Sequence, residues 1–109
     1  MVLMITKKAS VKELEKLTKH FSGYIKVVVD IEKEILAGGV DRHFEEEKSL
    51  LETGSKQENL WGGGYDLKTK EIDYNSIINL RPKQNNPSRD ILDAGIRNKF
   101  AKIIKQLLS

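Results

Sequence analysis

The 109-residue sequence has no cysteine, only two prolines and a single tryptophan. The absence of cysteine excludes a disulfide scaffold, a cysteine-ligated zinc finger and a thiol enzyme. No apolar run approaches the roughly 18 residues of a membrane span, and the first residues do not have the pattern of a signal peptide. We therefore expect one cytoplasmic domain over residues 1–109, since typical domains have roughly 100–150 residues.

An excess of one charge sign is also missing, because 19 Lys and Arg residues stand against 16 Asp and Glu residues. The signs alternate in blocks: residues 1–29 carry six basic and two acidic side chains, residues 30–60 four and nine, and residues 61–109 nine and five. A nucleic-acid-binding protein more often shows one sustained basic face, so this pattern argues against nucleic acid without excluding it. Alternating blocks fit a solvated surface, or a homo-oligomer held by complementary patches, at least as well.

The first half of the chain predicts a strand, a helix and a pair of strands. Residues 1–5 are apolar and predict a strand, and Ser10 followed three residues later by Glu predicts a capping box. The helix that begins there is expected to include Phe21. Alternating β-branched residues predict a strand over residues 24–31, and a tight turn leads to a partner strand over residues 34–40.

The second half predicts two helices and two more strands. Asp41 is expected to cap a helix that Gly54 closes in the left-handed conformation. Strands are expected over residues 58–66 and 71–80, and three consecutive glycines in the first of them indicate a bulge or a bend. The closing helix begins near Asp93, and its broad apolar stripe predicts that it packs on the sheet of its own chain. The stripe consists of Ile96, Phe100, Ile103, Ile104 and Leu107.

Together these elements predict the α+β class, with a mainly antiparallel sheet of about five strands and three helices. The first six elements follow the order of a ferredoxin-like βαββαβ unit, to which a strand and a C-terminal helix are added.

Three segments resemble a family of small prokaryotic proteins of unknown function. They are VVDIEKEILAGG over residues 28–39, GSKQENLWG over residues 54–62 and INLRP over residues 78–82. The chain departs from the family pattern at Phe44 and Glu46, where small residues are usual, and at Ala94-Gly95, where a Pro-Glu pair is usual. The resemblance implies no activity and assigns no functional residue.

The polar loop over residues 81–90, RPKQNNPSRD, is the most unusual segment. Arg presents a planar fork of donors that fits phosphate or carboxylate, and Asn and Gln add neutral donors. Two prolines restrict the backbone, so the loop could be preorganised around an anion. The alternative is a solvated loop in which Asn and Ser make local turn hydrogen bonds. The leading hypothesis is a binding or regulatory domain that holds a small anionic ligand or a partner at this loop.

The candidate ligand-binding residues are drawn from this loop and from the segments before it. The motif LWGGGY is not a phosphate-binding loop, because a strand rather than a helix is expected after the glycines. Its tryptophan is expected to be a core anchor or to line a groove. The full candidate set is Trp61, Asn79, Arg81, Gln84, Asn86, Ser88 and Arg89.

His43 and Glu47 are four residues apart and would share a helix face. The pair could act as an oriented general base in a small hydrolase-like enzyme, with Arg81 or Arg89 stabilising negative charge. A second His at zincin spacing is absent, and His20 falls on a different predicted helix, so we predict no metal site and no cofactor. A charged helix surface with an i,i+4 pair is the commoner explanation.

Overall fold

The computed structural model describes residues 1–19 and 22–109. His20 and Phe21, which the sequence analysis placed on the first helix, lie outside the described residues. Within them the main elements are β1 (Leu3–Ile5), α1 (Val11–Leu17), β2 (Tyr24–Asp30), β3 (Ile35–Gly38), α2 (His43–Glu52), β4 (Leu60–Asp66), β5 (Ile72–Asp73) and α3 (Ala94–Leu108). Short 3-10 turns occur at Gln57–Asn59, Ile77–Asn79 and Pro82–Gln84. The α+β prediction is confirmed.

The strands form one antiparallel sheet with the order β1-β3-β2-β4-β5. The first part agrees with a ferredoxin-like unit, because β3 lies between β1 and β2. The second part does not, since β4 pairs with the free edge of β2 instead of returning to β1. The connection through α1 leads from β1 to β2, and the connection through α2 leads from β3 to β4. Both cross the sheet in the same direction, but β1 and β3 are antiparallel. Because such crossovers are right-handed, α1 and α2 lie on opposite faces of the sheet. The ferredoxin-like topology was wrong.

Each face of the sheet has its own hydrophobic cluster. Ile25, Val27 and Val29 of β2 pack with α1 and α3 on one face, whereas Val28 packs with Leu50 of α2 on the other. This division follows from the two-residue period of a strand. The prediction that the closing helix packs on its own sheet is confirmed, because the apolar face of α3 is buried. Its buried side chains are Phe100, Ile103, Ile104, Leu107 and Leu108.

The helix boundaries agree with the sequence signals at two of three starts. Ser10 and Glu13 form the predicted capping box, and the Asp93 side chain accepts the amide of Ile96 at 2.9 Å. The prediction for α2 was wrong, since its N-cap is Arg42, without a side-chain cap. The extent of α1 was also wrong, because the helix ends at Leu17 instead of continuing through residue 19.

The prediction of a bulge at Gly62–Gly64 was wrong, because β2 and β4 pair in continuous register through these glycines. The glycines instead allow neighbouring groups to lie close to the backbone of β4. A Cβ at Gly63 would overlap the carbonyl oxygen of Asp73, and one at Gly64 would overlap the Tyr24 hydroxyl. The long strand predicted over residues 71–80 was also wrong. After the two residues of β5 the chain turns away from the sheet edge and enters a 3-10 turn.

No helix in the described part of the chain is both long and apolar enough to cross a lipid bilayer.

Candidate functional site

The loop after β5 is fixed by a fully buried asparagine. Asn79 is 0% exposed, and its Oδ1 accepts the amide of Gly62 at 2.8 Å while its Nδ2 donates to the Gly62 carbonyl at 2.9 Å. The same Nδ2 also donates to the carbonyl oxygens of Tyr74 and Arg89, at 3.1 and 2.9 Å. One carboxamide therefore joins β4, the segment after β5 and the far end of the loop.

A second buried asparagine organises the loop itself. The Nδ2 of Asn86 donates to the carbonyl oxygens of Asn79, Ser88 and Asp90, at 2.7, 2.9 and 2.8 Å, and its Oδ1 accepts the amide of Leu92 at 3.0 Å. Because buried polar groups are costly unless paired, these bonds hold the loop in one conformation. These are the local turn hydrogen bonds of the alternative hypothesis, and ligand contact by Asn86 stays a prediction.

Arg81 directs its guanidinium inward. Its Nε donates to Ile78 O at 2.9 Å, and its Nη1 donates to Gln57 O at 2.7 Å and to Gln84 Oε1 at 3.1 Å. Its Nη2 donates to Leu60 O. These bonds use four of the five N–H groups that a guanidinium offers.

The same guanidinium lies over the Trp61 ring, 4.2 Å from the centroid. Burial lowers the pKa of Arg81, and the carboxylate of Glu47 acts in the opposite direction. Trp61 is itself buried, and its Nε1 has no hydrogen-bond partner among the described residues. The tryptophan is thus a core anchor beneath the arginine.

Residues 82–85 form the exposed tip of this loop. The backbone of Arg81 pairs with that of Asn86 at 2.8 and 3.0 Å, which closes the segment between them. Asn85 adopts the left-handed conformation with φ of 58°, as this tight reversal requires. An open pocket of about 480 Å³ lies beside the tip, lined by Gln57, Arg81, Pro82, Lys83 and Gln84.

The predicted ligand-binding residues fall into two groups. The first group is buried and makes hydrogen bonds or ring contacts inside the protein; it consists of Trp61, Asn79, Arg81 and Asn86. Gln84 adds a hydrogen bond from its Nε2 to Glu58 O at 3.1 Å. The second group lies on the outer side of the loop, where Arg89 is exposed and the Ser88 hydroxyl accepts the amide of Asp90 at 3.1 Å. Ligand binding by either group stays a prediction.

His43 and Glu47 share α2 but contact different parts of the molecule. The Nε2 of His43 donates to Gly63 O at 2.7 Å, since a carbonyl oxygen can only accept. Burial lowers the pKa of His43, so the ring is neutral near pH 7 and its Nδ1 is unprotonated. Burial raises the pKa of Glu47, whereas Arg81 and Gln57 lower it. The structure therefore brings Glu47 to Arg81 and leaves His43 in another cluster.

That cluster surrounds Glu46, which is 0% exposed and has no hydrogen-bond partner for either carboxyl oxygen among the described residues. Burial raises the pKa of Glu46 to about 10, against the opposing effects of the Val40 amide and the Lys26 ammonium. The carboxyl group is therefore protonated at neutral pH. Lys26 donates from Nζ to Asp41 O at 2.9 Å, which ties β2 to the segment before α2.

Tyr24 on β2 and Asp73 on β5 lie on either side of β4, at the edge of this cluster. The Tyr24 hydroxyl donates to Asp73 Oδ2 at 3.1 Å. Burial, followed by the negative charge of Asp73, raises the pKa of Tyr24 to about 12. Among the described residues no group of three His, Asp or Glu side chains is placed to hold a metal ion.

The family assignment rests on a match over almost the whole chain. A family model described as "Protein of unknown function (DUF5674)" matches residues 3–107. The chain belongs to this family. Neither the curated proteins nor the solved structures contain a match to the chain. The description of the DUF5674 family states no activity, so any function of this DUF5674 domain has to be argued from its own geometry.

Sequence reasoning missed the cluster around Glu46 because the residue stands in a run of three glutamates that looks like a solvated helix surface. One spacing could have revealed it: Glu46 is four residues before Leu50, so both lie on the inner face of α2.

Proposed function

We propose that this DUF5674 domain is a binding module that holds an anionic group, a carboxylate or a phosphate, at the tip of the 81–90 loop. The observation behind the proposal is that Asn79, Arg81 and Asn86 fix the loop from inside. Binding residues are often presented by loops on a rigid support. Buried side chains that immobilise an exposed tip provide such a support.

The chemistry of the tip suits an anion. Lys83 is exposed beside the pocket, and Arg81 keeps one N–H that donates to no acceptor among the described residues. The guanidinium is surrounded mainly by carbonyl oxygens, with Glu47 as the acidic side chain that acts on it. An anion in the pocket would therefore meet two positive charges at little ordering cost, because the loop is already in place.

Thermal unfolding of the whole protein with inorganic phosphate or citrate tests this proposal. A ligand that binds only the folded state raises Tm in a saturable way. We expect this rise in the unaltered protein and in Lys68→Ala, a control on the exposed β4–β5 turn. Lys83→Ala should lose most of the rise, and Arg89→Ala measures whether the outer side of the loop contributes. Equal stabilisation of the Lys68→Ala and Lys83→Ala variants would remove the proposal.

We propose a second candidate, a small acid–base enzyme of the hydrolase kind, because His43 and Glu46, three residues apart on α2, both have shifted pKa values. His43 keeps its role as the group that accepts a proton, through Nδ1, and protonated Glu46 replaces Arg81 or Arg89 as its companion. Paired shifts of this kind are frequent in active sites. Hydrolysis of generic esters or phosphoesters that is abolished in His43→Gln, with the fold retained, would support it. An inactive protein across such substrates would count against it.

We also propose, as a third candidate, a homo-oligomer held by complementary charge. Residues 41–58 around α2 contain six acidic and three basic side chains, and basic side chains dominate α1 and α3 on the opposite face. Sedimentation velocity at low and high salt tests this directly. Association at low salt that disappears at high salt supports the idea, whereas a monomer at every salt concentration excludes it.

A further inference from the structure

The fold gathers the lysines of residues 7–19 and those of α3 on one side of the molecule. The helices α1 and α3 pack on the same sheet face, and the amide of Ala9 donates to Leu107 O at 2.8 Å where their ends meet. We use "lysine face" for the exposed lysines on and beside these two helices. They are Lys7, Lys8, Lys12, Lys16, Lys19, Lys99, Lys102 and Lys105.

Few acidic side chains oppose this positive charge. Residues 7–19 and 93–109 contain nine basic and three acidic side chains in all, and residues 94–109 contain no acidic side chain. Two of the three are engaged in helix caps: Glu13 accepts the amide of Ser10 at 2.9 Å, and Asp93 accepts that of Ile96 at 2.9 Å. The side of the molecule that carries α1 and α3 is therefore predominantly basic.

We infer that the lysine face binds the phosphate backbone of a nucleic acid, an activity separate from the anion site proposed at the 81–90 loop. Neutralisation of phosphates by lysine releases counterions from the polyanion, which drives such binding. The outer surface of α3 also presents Asn98 and Gln106 beside Lys102 and Lys105, around an open groove of about 480 Å³. Amides and lysines together provide the hydrogen-bond donors that phosphate and sugar oxygens accept.

A protein partner fits this surface less well. Protein interfaces are depleted in lysine and rely on large apolar or aromatic anchors. On α1 and α3 of the lysine face, the exposed large apolar side chain is Val11. Most of the other exposed apolar side chains lie on α2 or between β5 and α3: Phe44, Leu51, Ile77, Leu80 and Leu92.

The acidic neighbours limit the path that the polyanion can take. Glu32 and Glu34 of the β2–β3 turn line a pocket together with Lys99 and Lys102. A phosphate backbone is repelled at that edge of α3, so it should follow the edge nearer Lys105 and α1. Glu32→Gln combined with Glu34→Gln should therefore strengthen binding modestly, by about two- to three-fold, through reduced long-range repulsion.

Fluorescence anisotropy with a labelled 20-base-pair DNA duplex, and with RNA of the same sequence, tests the inference across salt concentrations. The test variant replaces Lys99, Lys102 and Lys105 by Ala. The matched control replaces Lys48 of α2, Lys56 after its end, and Lys33 of the β2–β3 turn, which lines a pocket with Gly54 and Lys56. Both proteins then lose the same net charge. Thermal unfolding checks that both variants retain the fold.

We expect the test variant to bind at least about ten-fold more weakly than the control at low salt. For this variant, the slope of log K against log salt concentration should be less steep by about one for each phosphate that it no longer neutralises. Equal weakening in both variants would show a general charge effect and overturn the inference. Absence of binding by the unaltered protein at low salt, or equally tight binding of poly-glutamate, would overturn it as well.

Discussion

At the scale of single residues, three polar side chains that the sequence marked as ligand donors support the loop from inside. Asn79, Arg81 and Asn86 direct their donors at backbone carbonyl oxygens inside the protein. The sequence alone shows that the 81–90 loop is unusual, because Arg and Asn residues are concentrated there. It could not show whether those donors face inward, since that depends on which strand the loop packs against.

The central role of Asn79 predicts a large loss of stability in Asn79→Ala. The substitution leaves the amide and the carbonyl of Gly62 unpaired in a buried position, and each such group costs about 1–3 kcal/mol. We expect the free energy of unfolding, measured with denaturant, to fall by about 3 kcal/mol or more. Asn98→Ala, on the exposed side of α3, should change it by less than about 0.5 kcal/mol. Comparable effects of the two substitutions would contradict the assignment.

Glu46 predicts a pH dependence of stability with a defined sign. Its pKa in the folded protein, about 10, is above its ordinary value of 4.5, so the folded state keeps a proton that the unfolded state releases. Stability from this group is complete below pH 4.5 and falls as pH rises towards 10, by about 1.4 kcal/mol per pH unit at most. Glu46→Gln mimics the protonated acid and removes this loss.

Unfolding free energies of the unaltered protein and Glu46→Gln, compared between pH 5 and pH 8, measure the effect. The variant should become progressively more stable than the unaltered protein as pH rises, while other carboxylates cancel in the difference. A difference that stays constant over this range would show that Glu46 is already ionised in the folded state.

At the scale of elements, the long periodic segments were predictable and the short ones were not. The apolar stripe of α3 and the alternation in β2 each extend over several turns or pleats, so local pattern decides them. β5 has two residues, because Asn79 and the backbone of the following segment divert the chain from the sheet. That diversion depends on contacts with β4, which no local pattern contains.

The packing of α3 predicts that Phe100→Ala is strongly destabilising. Phe100 is fully buried, lies against Gly63, and packs on Tyr74 with 5.7 Å between the ring centroids. Loss of the ring should cost about 3–5 kcal/mol, enough to unfold a marginal domain. Chemical denaturation monitored by circular dichroism gives this number.

A truncation separates this role from that of a detachable tail. Residues 1–90 alone should fail to fold cooperatively, since α3 covers much of one sheet face. A folded, monomeric fragment of residues 1–90 would show that the helix is not part of the core.

At the scale of the whole molecule, two properties arise that the linear sequence does not display. β4 pairs beside β2, which sends α2 to the face opposite α1 and α3. As a result the acidic side chains around α2 and the lysines of α1 and α3 lie on opposite sides. The alternating charge blocks argued against nucleic-acid binding because the sequence does not show that the lysines of α1 and α3 share one face of the protein. Pairing choices between distant strands depend on the complete chain, which explains why the topology was only partly predicted.

An anion held at the tip of a loop that is fixed from inside should be detectable in an NMR titration of the isotope-labelled protein with inorganic phosphate. We expect saturable shifts of the backbone amide signals of Lys83, Gln84 and Asn85 and of the Arg81 side-chain N–H signals. The signals of the buried side-chain amides of Asn79 and Asn86 should not shift, because the loop is already ordered. Shifts confined to the lysines of α1 and α3, or no saturable shift at the tip, would contradict the claim.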